Sequence, residues 1–339
     1  MRLGVHVGHW GSAPADPLPI VREAERLGFD SAWASEAWGS DAVTVATWIA
    51  AHTERIHVGT AVMQIAARTP AATAMTAITL DHLSRGRFRL GLGVSGPQVV
   101  EGWHGLPYRD PAGWTREYVE VVRRILQRRG PVEFRGRHVR LPAPGGLGVG
   151  KPLQSAVRPL RADLPIYLAA LGPRTVALAG ELADGWLPIL FSPERAEPLR
   201  RRLLEGLERA GRSPESFDVA AMAPVVAGED LGACRDRVRP FLALYVGGMG
   251  SRERNFYASL VSGYGYADAV ACIQDLFLSG RRREAGRAVP EALIDEIALL
   301  GPVGRIRDRL AAWREAGVTT LLAQTDDLGS LRALAEANG

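Results

Sequence analysis

The residues with chemical potential gather where alternating apolar runs break into glycine. The densest such stretch is Arg87 to Gly105, RFRLGLGVSGPQVVEGWHG. Phe88, Leu90 and Leu92 recur at every second position and the run then gives way to glycine, serine and proline, which reads as a strand delivering a loop. Gly91, Gly93 and Gly96 have the GxGxxG spacing of a dinucleotide-binding turn, where phosphates sit at a helix N-terminus. Pro97, Gly102 and Gly105 leave no long helix after the third glycine, and no acidic residue ends a strand about 20 residues on, so the Rossmann reading is disfavoured. A second stretch, ALGPRTVALAGELADG, has Gly172 and Pro173 opening a helix whose free N–H groups and dipole suit a phosphate, with Arg174 adding charge. An ordinary capped helix is the alternative there.

Other chemistries find less support. His6 and His9 come closest to metal-ligand spacing, but an odd separation on a strand sends them to opposite faces, and no metal site is expected. GVSGP does not complete a GxSxG nucleophile elbow, because Pro97 stands where the second glycine would fall. Lys151 is the single lysine, which leaves little scope for a Schiff base or a P-loop lysine. Cys234 and Cys272 have no CxxC or CxxH partner, which argues for a reducing, cytoplasmic setting. The net charge of +4 is spread over helices with acidic neighbours, as in EYVEVVRRILQRR, a solvated pattern rather than a nucleic-acid footprint. No apolar run approaches membrane-spanning length, and MRLGVHVGHWG reads as a strand rather than a signal peptide, so neither membrane nor nucleic acid is an expected partner.

The elements that must position these residues alternate strand and helix. Strands are expected at Leu3–Val7, Ser31–Ser35, Ile56–Met63, Phe88–Leu92, Pro165–Ala170, the run GWLPIL, the run FDVAAMAPVVA and the run VTTLLAQ, each followed by a helical pattern. Insertions fall near 130–164, where VEFRGRHVRL could form a hairpin, and near 247–300, within a long helical region reaching Gly301. Eight such repeats without a linker between them point to an α/β fold, a single (β/α)8 TIM barrel over residues 1–339, with a doubly wound sheet as the alternative. In such a barrel the loops after the strand C-termini carry the site, which directs attention to His9 and Trp10, Ser35–Asp41, Gln64–Arg68, Val94–Tyr108, Ala169–Arg174, Leu187–Phe191, Ala227–Asp230 and Gln324–Asp327.

These stretches, with RTPAATAMTAITLDHLSRGRF, YLAALGP followed by LADGWLP, and AGVTTLL, resemble the luciferase-like monooxygenase superfamily over nearly the whole chain. The closer resemblance is to its branch of oxidoreductases using the deazaflavin coenzyme F420. That resemblance implies a TIM barrel, commonly a homodimer, with the cofactor ring at the strand C-termini. It implies cofactor contacts at Ser35 and Glu36, at Gln64 and Ile65, at Val94, Ser95 and Gly96 beside the ring, and at Ala169, Ala170, Leu171, Gly172 and Arg174 around the phosphate. It also implies a non-prolyl cis peptide between Gln64 and Ile65, forming a bulge behind the ring. Ala37 stands where sugar-phosphate dehydrogenases of the superfamily carry a catalytic histidine, which argues against oxidation of glucose 6-phosphate.

The resulting expectation is hydride transfer between the deazaflavin and a small organic substrate, with reduction of an activated C=C or C=N bond favoured over alcohol oxidation. An FMN-dependent two-component monooxygenase is the alternative, and a cofactor-binding barrel without turnover a third reading. Glu36 is the first candidate for proton transfer, with Trp33 and Trp38 as its apolar surroundings, and His9 and His104 are the reserves. The alternative, slightly favoured, is that Glu36 only orients the cofactor's ring or side-chain hydroxyls. Phe256, Tyr257, Tyr264 and Tyr266 could belong to a substrate lid or to plain helix packing.

Overall fold

The computed structural model describes residues 1–8 and 13–339; His9 and Trp10 therefore lie outside the described residues. Its strands are β1 (Arg2–Val7), β2 (Ser31–Ala34), β3 (His57–Thr60), β4 (Met63–Gln64), β5 (Phe88–Gly93), β6 (Phe134–Arg135), β7 (Arg140–Leu141), β8 (Ile166–Leu168), β9 (Gly185–Trp186), β10 (Asp218–Ala227), β11 (Leu299–Gly301) and β12 (Thr320–Gln324). Parallel pairing runs β1–β2–β3–β5–β8–β9–β10–β12 and returns to β1, which closes the eight-stranded barrel expected from the repeats.

Two strand assignments need correction. Ile56–Met63 is not one strand: β3 stops at Thr60, the Ala61–Val62 peptide is cis, and β4 resumes at Met63 to pair with β5. The cis bond thus lies at Ala61–Val62 rather than at Gln64–Ile65. The long helical region before Gly301 ends in β11, which lies parallel to the last residues of β10 through Val225↔Leu299 and Ala227↔Gly301. The hairpin proposed in the 130–164 insertion is present as antiparallel β6 and β7.

The alternation along β5 has a physical reading on both faces. Phe88, Leu90 and Leu92 turn outward and are buried against the helices, each contributing about 1.5–3 kcal/mol relative to exposure. Arg89, Gly91 and Gly93 therefore turn inward. A Cβ on Gly91 would lie 1.7 Å from the Thr60 carbonyl oxygen, and one on Gly93 2.6 Å from Val62 Cγ2. These glycines let the broken β3–β4 segment press against β5, so the GxGxxG spacing serves close backbone packing. Gly59 works the same way for Trp33, whose ring would be 2.3 Å from an added Cβ. Trp33 is fully buried in the barrel interior, edge-on to Tyr167 with ring centroids 4.9 Å apart, and packs with Leu187, Ala220 and Leu322.

Beneath this apolar layer the barrel is closed by paired charges. Asp218 accepts hydrogen bonds from Tyr167 Oη at 2.9 Å and Thr320 Oγ1 at 2.8 Å and pairs with Arg2 at 2.9 Å, while Arg89 pairs with Asp30 at 2.6 Å. With that end of the barrel filled by paired charges, the strand C-terminal ends, where barrels of this kind carry their sites, are the place to examine.

Candidate active site at the C-terminal mouth of the barrel

Glu36 follows β2 directly and is the most heavily bonded side chain at the mouth. Its Oε1 accepts from the Gln64 N–H at 2.9 Å and Arg68 Nη1 at 2.7 Å; its Oε2 accepts from the Ala42 N–H at 3.0 Å and Arg68 Nη2 at 2.9 Å. The side chain is 4% exposed and that of Arg68 19%, so the bidentate pair is largely withdrawn from water. The apolar surroundings expected from the tryptophans are absent: Trp33 is in the barrel interior and Trp38 is half-exposed. Arg68, 32 residues away, is the partner that residue spacing did not supply.

This network fixes the 61–68 loop. The Ile65 N–H donates to the Gly93 carbonyl at 3.0 Å, and Tyr118 Oη donates to the Arg68 carbonyl at 3.0 Å from behind. Burial pushes the Tyr118 phenol up to about 12, so it remains a donor at neutral pH. Gln64 is buried; its Nε2 donates to the Ala37 carbonyl at 2.7 Å, whereas its Oε1 has no partner among the described residues. Ile65 belongs to the main core, so its backbone rather than its side chain serves the mouth.

The loop after β5 brings Val94 and Ser95 to the mouth and then caps a short helix, Pro97–Gly102, at Gly96. Ser95 has φ 61°, the left-handed region. His104 follows this helix with its N–H on the Val99 carbonyl, and its buried Nε2 has no partner among the described residues. After β8, the run from Ala169 to Gly172 is held by Ala169 N–H to the Leu92 carbonyl at 2.9 Å and by the Trp186 indole to the Ala170 carbonyl at 2.9 Å. Leu171 is half-buried beside them. Gly172 caps the helix Pro173–Leu182 without a side-chain bond, which leaves the first amides free. Exposed Arg174 makes no hydrogen bond or ion pair with a described residue, whereas Arg116 and Arg202, lining the same cleft of about 890 Å³, are already paired with Glu181 and Glu205. An uncapped helix end with one unpaired arginine is a suitable anion seat.

Of the lid candidates, the structure separates two pairs. Tyr264 Oη donates to the Leu190 carbonyl at 3.0 Å and Tyr266 Oη to Glu296 at 2.7 Å, which ties the insertion down. Phe256 and Tyr257 instead lie beside the loop after β5, where Tyr108 faces Phe256 with ring centroids 6.3 Å apart. Tyr108 was named only within a loop range, and no periodicity singles it out. No group of three or more His, Cys, Asp or Glu able to hold a metal occurs among the described residues.

An eight-stranded parallel barrel with this broken third strand and glycine-rich mouth is a barrel of the luciferase-like class. The luciferase-like monooxygenase family profile matches residues 2–320, and the chain belongs to that family. It is 46% identical over 99% of its length, and 98% of the relative's, to a Mycobacterium tuberculosis protein provisionally named coenzyme F420-dependent oxidoreductase. A 5,10-methylenetetrahydromethanopterin reductase of Archaeoglobus fulgidus is 28% identical, over 89% of this chain and 87% of the relative. Among solved structures, the coenzyme F420-dependent tetrahydromethanopterin reductase of Methanopyrus kandleri superposes with a TM-score of 0.83 at 25% identity, covering 99% of this chain and 97% of that one.

Proposed function

We propose that this chain is a coenzyme F420-dependent oxidoreductase acting on a small organic substrate. The observation that carries the reading is the 46% identity across 99% of the chain to a relative named for that coenzyme. The mouth fits the group. Its phosphate suits the uncapped Gly172 helix end with unpaired Arg174, and the polar edge of its ring suits the unpartnered Gln64 Oε1 beside the Gly93 backbone. When bound, the deazaflavin supplies a ring carbon that gives or takes hydride and reacts poorly with oxygen.

The chain's own residues orient and enclose. Ser35 and Glu36 follow β2, and Glu36, holding Arg68, Gln64 and the Ala42 amide, keeps the 61–68 loop against the ring position. Both of its oxygens already accept two hydrogen bonds, so we assign it positioning rather than proton donation. His104 Nε2 remains available for a proton, with His9 as the other candidate. Reduction of an activated C=C or C=N bond is the favoured reaction because Ala37 offers no base for alcohol oxidation.

We also propose a homodimer. Trp48, Met75 and Leu83 are exposed on helices Ala42–Ala51 and Pro70–Leu83, whose sequences are apolar almost all round, a pattern that suits burial. No helix among the described residues is long and apolar enough to cross a membrane, and the free Cys234 and Cys272 suit the reducing cytoplasm. Titrating purified protein with F420 and, separately, FMN while following ring fluorescence tests the cofactor assignment. Saturable F420 binding with weak FMN binding is expected; tight FMN binding without F420 binding would instead support the FMN-dependent monooxygenase.

A further inference from the structure

Two segments from different strand ends meet over the mouth. One is the loop after β5, with Gly96 and Tyr108; the other is the insertion after β10, with Met249, Phe256 and Tyr257. A Cβ on Gly96 would lie 3.7 Å from the Met249 carbonyl oxygen, and the Tyr108 and Phe256 rings are tilted by 37° at 6.3 Å. Asn255 holds the second segment rigidly. Its buried side-chain amide donates to the Tyr245 and Val246 carbonyls at 3.0 and 2.9 Å and accepts from the Tyr257 and Ala258 N–H groups at 2.9 and 3.0 Å. Tyr257 packs edge-on against Tyr245 at 4.7 Å, and Phe256 remains substantially exposed, as do Trp103 and Leu106 on the facing loop.

The two phenols are unusual within this wall. Neither the Tyr108 nor the Tyr257 hydroxyl hydrogen-bonds to another described residue, unlike Tyr118, Tyr167, Tyr264 and Tyr266, whose hydroxyls are all engaged. Burial pushes both phenols up to about 12, with each other's proximity adding to the rise at Tyr108. Both residues are only partly buried, so these hydroxyls, without a partner in the fold, are free to donate to a ligand that enters between the two segments.

We infer that Tyr108, Phe256 and Tyr257 form the substrate wall, taking a flat conjugated carbonyl compound whose oxygen accepts hydrogen bonds from the two phenol hydroxyls. The aromatic faces supply offset or edge contacts to a planar molecule, and the hydroxyls select one bearing a carbonyl. This rests on the oxidoreductase reading for its place in a reaction, but binding can be measured without the cofactor.

Calorimetric titration of the cofactor-free protein with coumarin and with 2H-chromene, which keeps the ring system but lacks the carbonyl, tests it. Coumarin should bind wild type about thirtyfold more tightly than 2H-chromene, the worth of two net hydrogen bonds. That preference should vanish in the Tyr108→Phe, Tyr257→Phe double variant, and Phe256→Ala should weaken both ligands together. A preference that persists in the double variant, or failure of wild type to bind coumarin, overturns the inference. Since F420 binding is titrated separately on the same proteins, loss of the cofactor assignment and loss of this wall give different results.

Discussion

Arg68 grips Glu36 through both guanidinium nitrogens, at 2.7 and 2.9 Å, and this pair joins the end of β2 to the loop beyond the cis peptide. A bidentate contact fixes direction as well as distance, so the position of Gln64 and of the backbone beside it follows from the pair. Breaking one partner of a largely buried ion pair leaves the other charged and poorly compensated.

Glu36→Gln should therefore lower stability by about 3 kcal/mol and weaken F420 binding while leaving turnover at saturating cofactor nearly intact. Urea unfolding, fluorescence titration and steady-state rates on one preparation check this. A turnover loss of about 10²–10⁴ with unchanged affinity would return Glu36 to the role of acid.

Gly91 offers a test of the inner-face argument. With its added Cβ 1.7 Å from a backbone oxygen, Gly91→Ala must displace β3 or β5, and a destabilisation of about 3 kcal/mol or more, or failure to accumulate folded protein, is expected. Gly102→Ala, where nothing lies within 4 Å of the added Cβ, is the matched control and should leave the urea midpoint nearly unchanged.

These two sites mark what was legible in the sequence. The outward face of β5 was readable because Phe88, Leu90 and Leu92 alternate at period two, and the closed barrel followed from the repeated strand and helix signals. The inward face was not, because glycine signals a turn or a phosphate loop before it signals a close approach between strands. The break between β3 and β4 was hidden for a related reason: in IHVGTAVM strand-favouring residues stand on both sides of Thr60, and no proline, asparagine or aspartate marks the point where pairing shifts. β11 is only three residues long and continues the apolar pattern of the helix before it. The Glu36–Arg68 pair is a tertiary fact, set by two loops the barrel brings together, and no local spacing encodes it. By contrast, the Gly172 helix end was readable, since glycine followed by proline at a helix start is a local rule and the structure places the helix there.

Asp30 provides a pH-dependent prediction. Burial pushes its carboxyl up, but the bonds from His57 and Arg89 outweigh this and hold it well below the usual carboxylate range. A carboxyl lowered in the folded state stabilises the fold above its unfolded value of about 4, and that contribution is lost progressively as the pH falls below it. Asp30→Asn should cost roughly 3 kcal/mol at pH 7, and its stability deficit relative to wild type should shrink as the pH drops below about 4. Urea midpoints measured across that window decide the matter; a deficit independent of pH would assign the cost to packing instead.

Arg174 carries the last prediction. It stands at the first turn of Pro173–Leu182, exposed and unpaired, where it does nothing visible for the fold. Arg174→Ala should leave the unfolding midpoint within error, because an exposed residue without partners contributes little to stability. If its charge serves the cofactor phosphate, the same change should weaken F420 binding about tenfold, corresponding to one charge-assisted contact, with turnover at saturating cofactor retained. Its contribution should also decline with added salt, since a partly exposed charge pair is screened over about 8–10 Å near physiological ionic strength. Arg116→Ala is the informative comparison. Arg116 lines the same cleft but is held by both oxygens of Glu181 at 2.6 and 2.7 Å, so its loss should affect F420 affinity far less than the loss of Arg174. Equal effects from the two substitutions would mean that the cleft acts through its summed charge, and the assignment of the phosphate to the Gly172 helix end would fail.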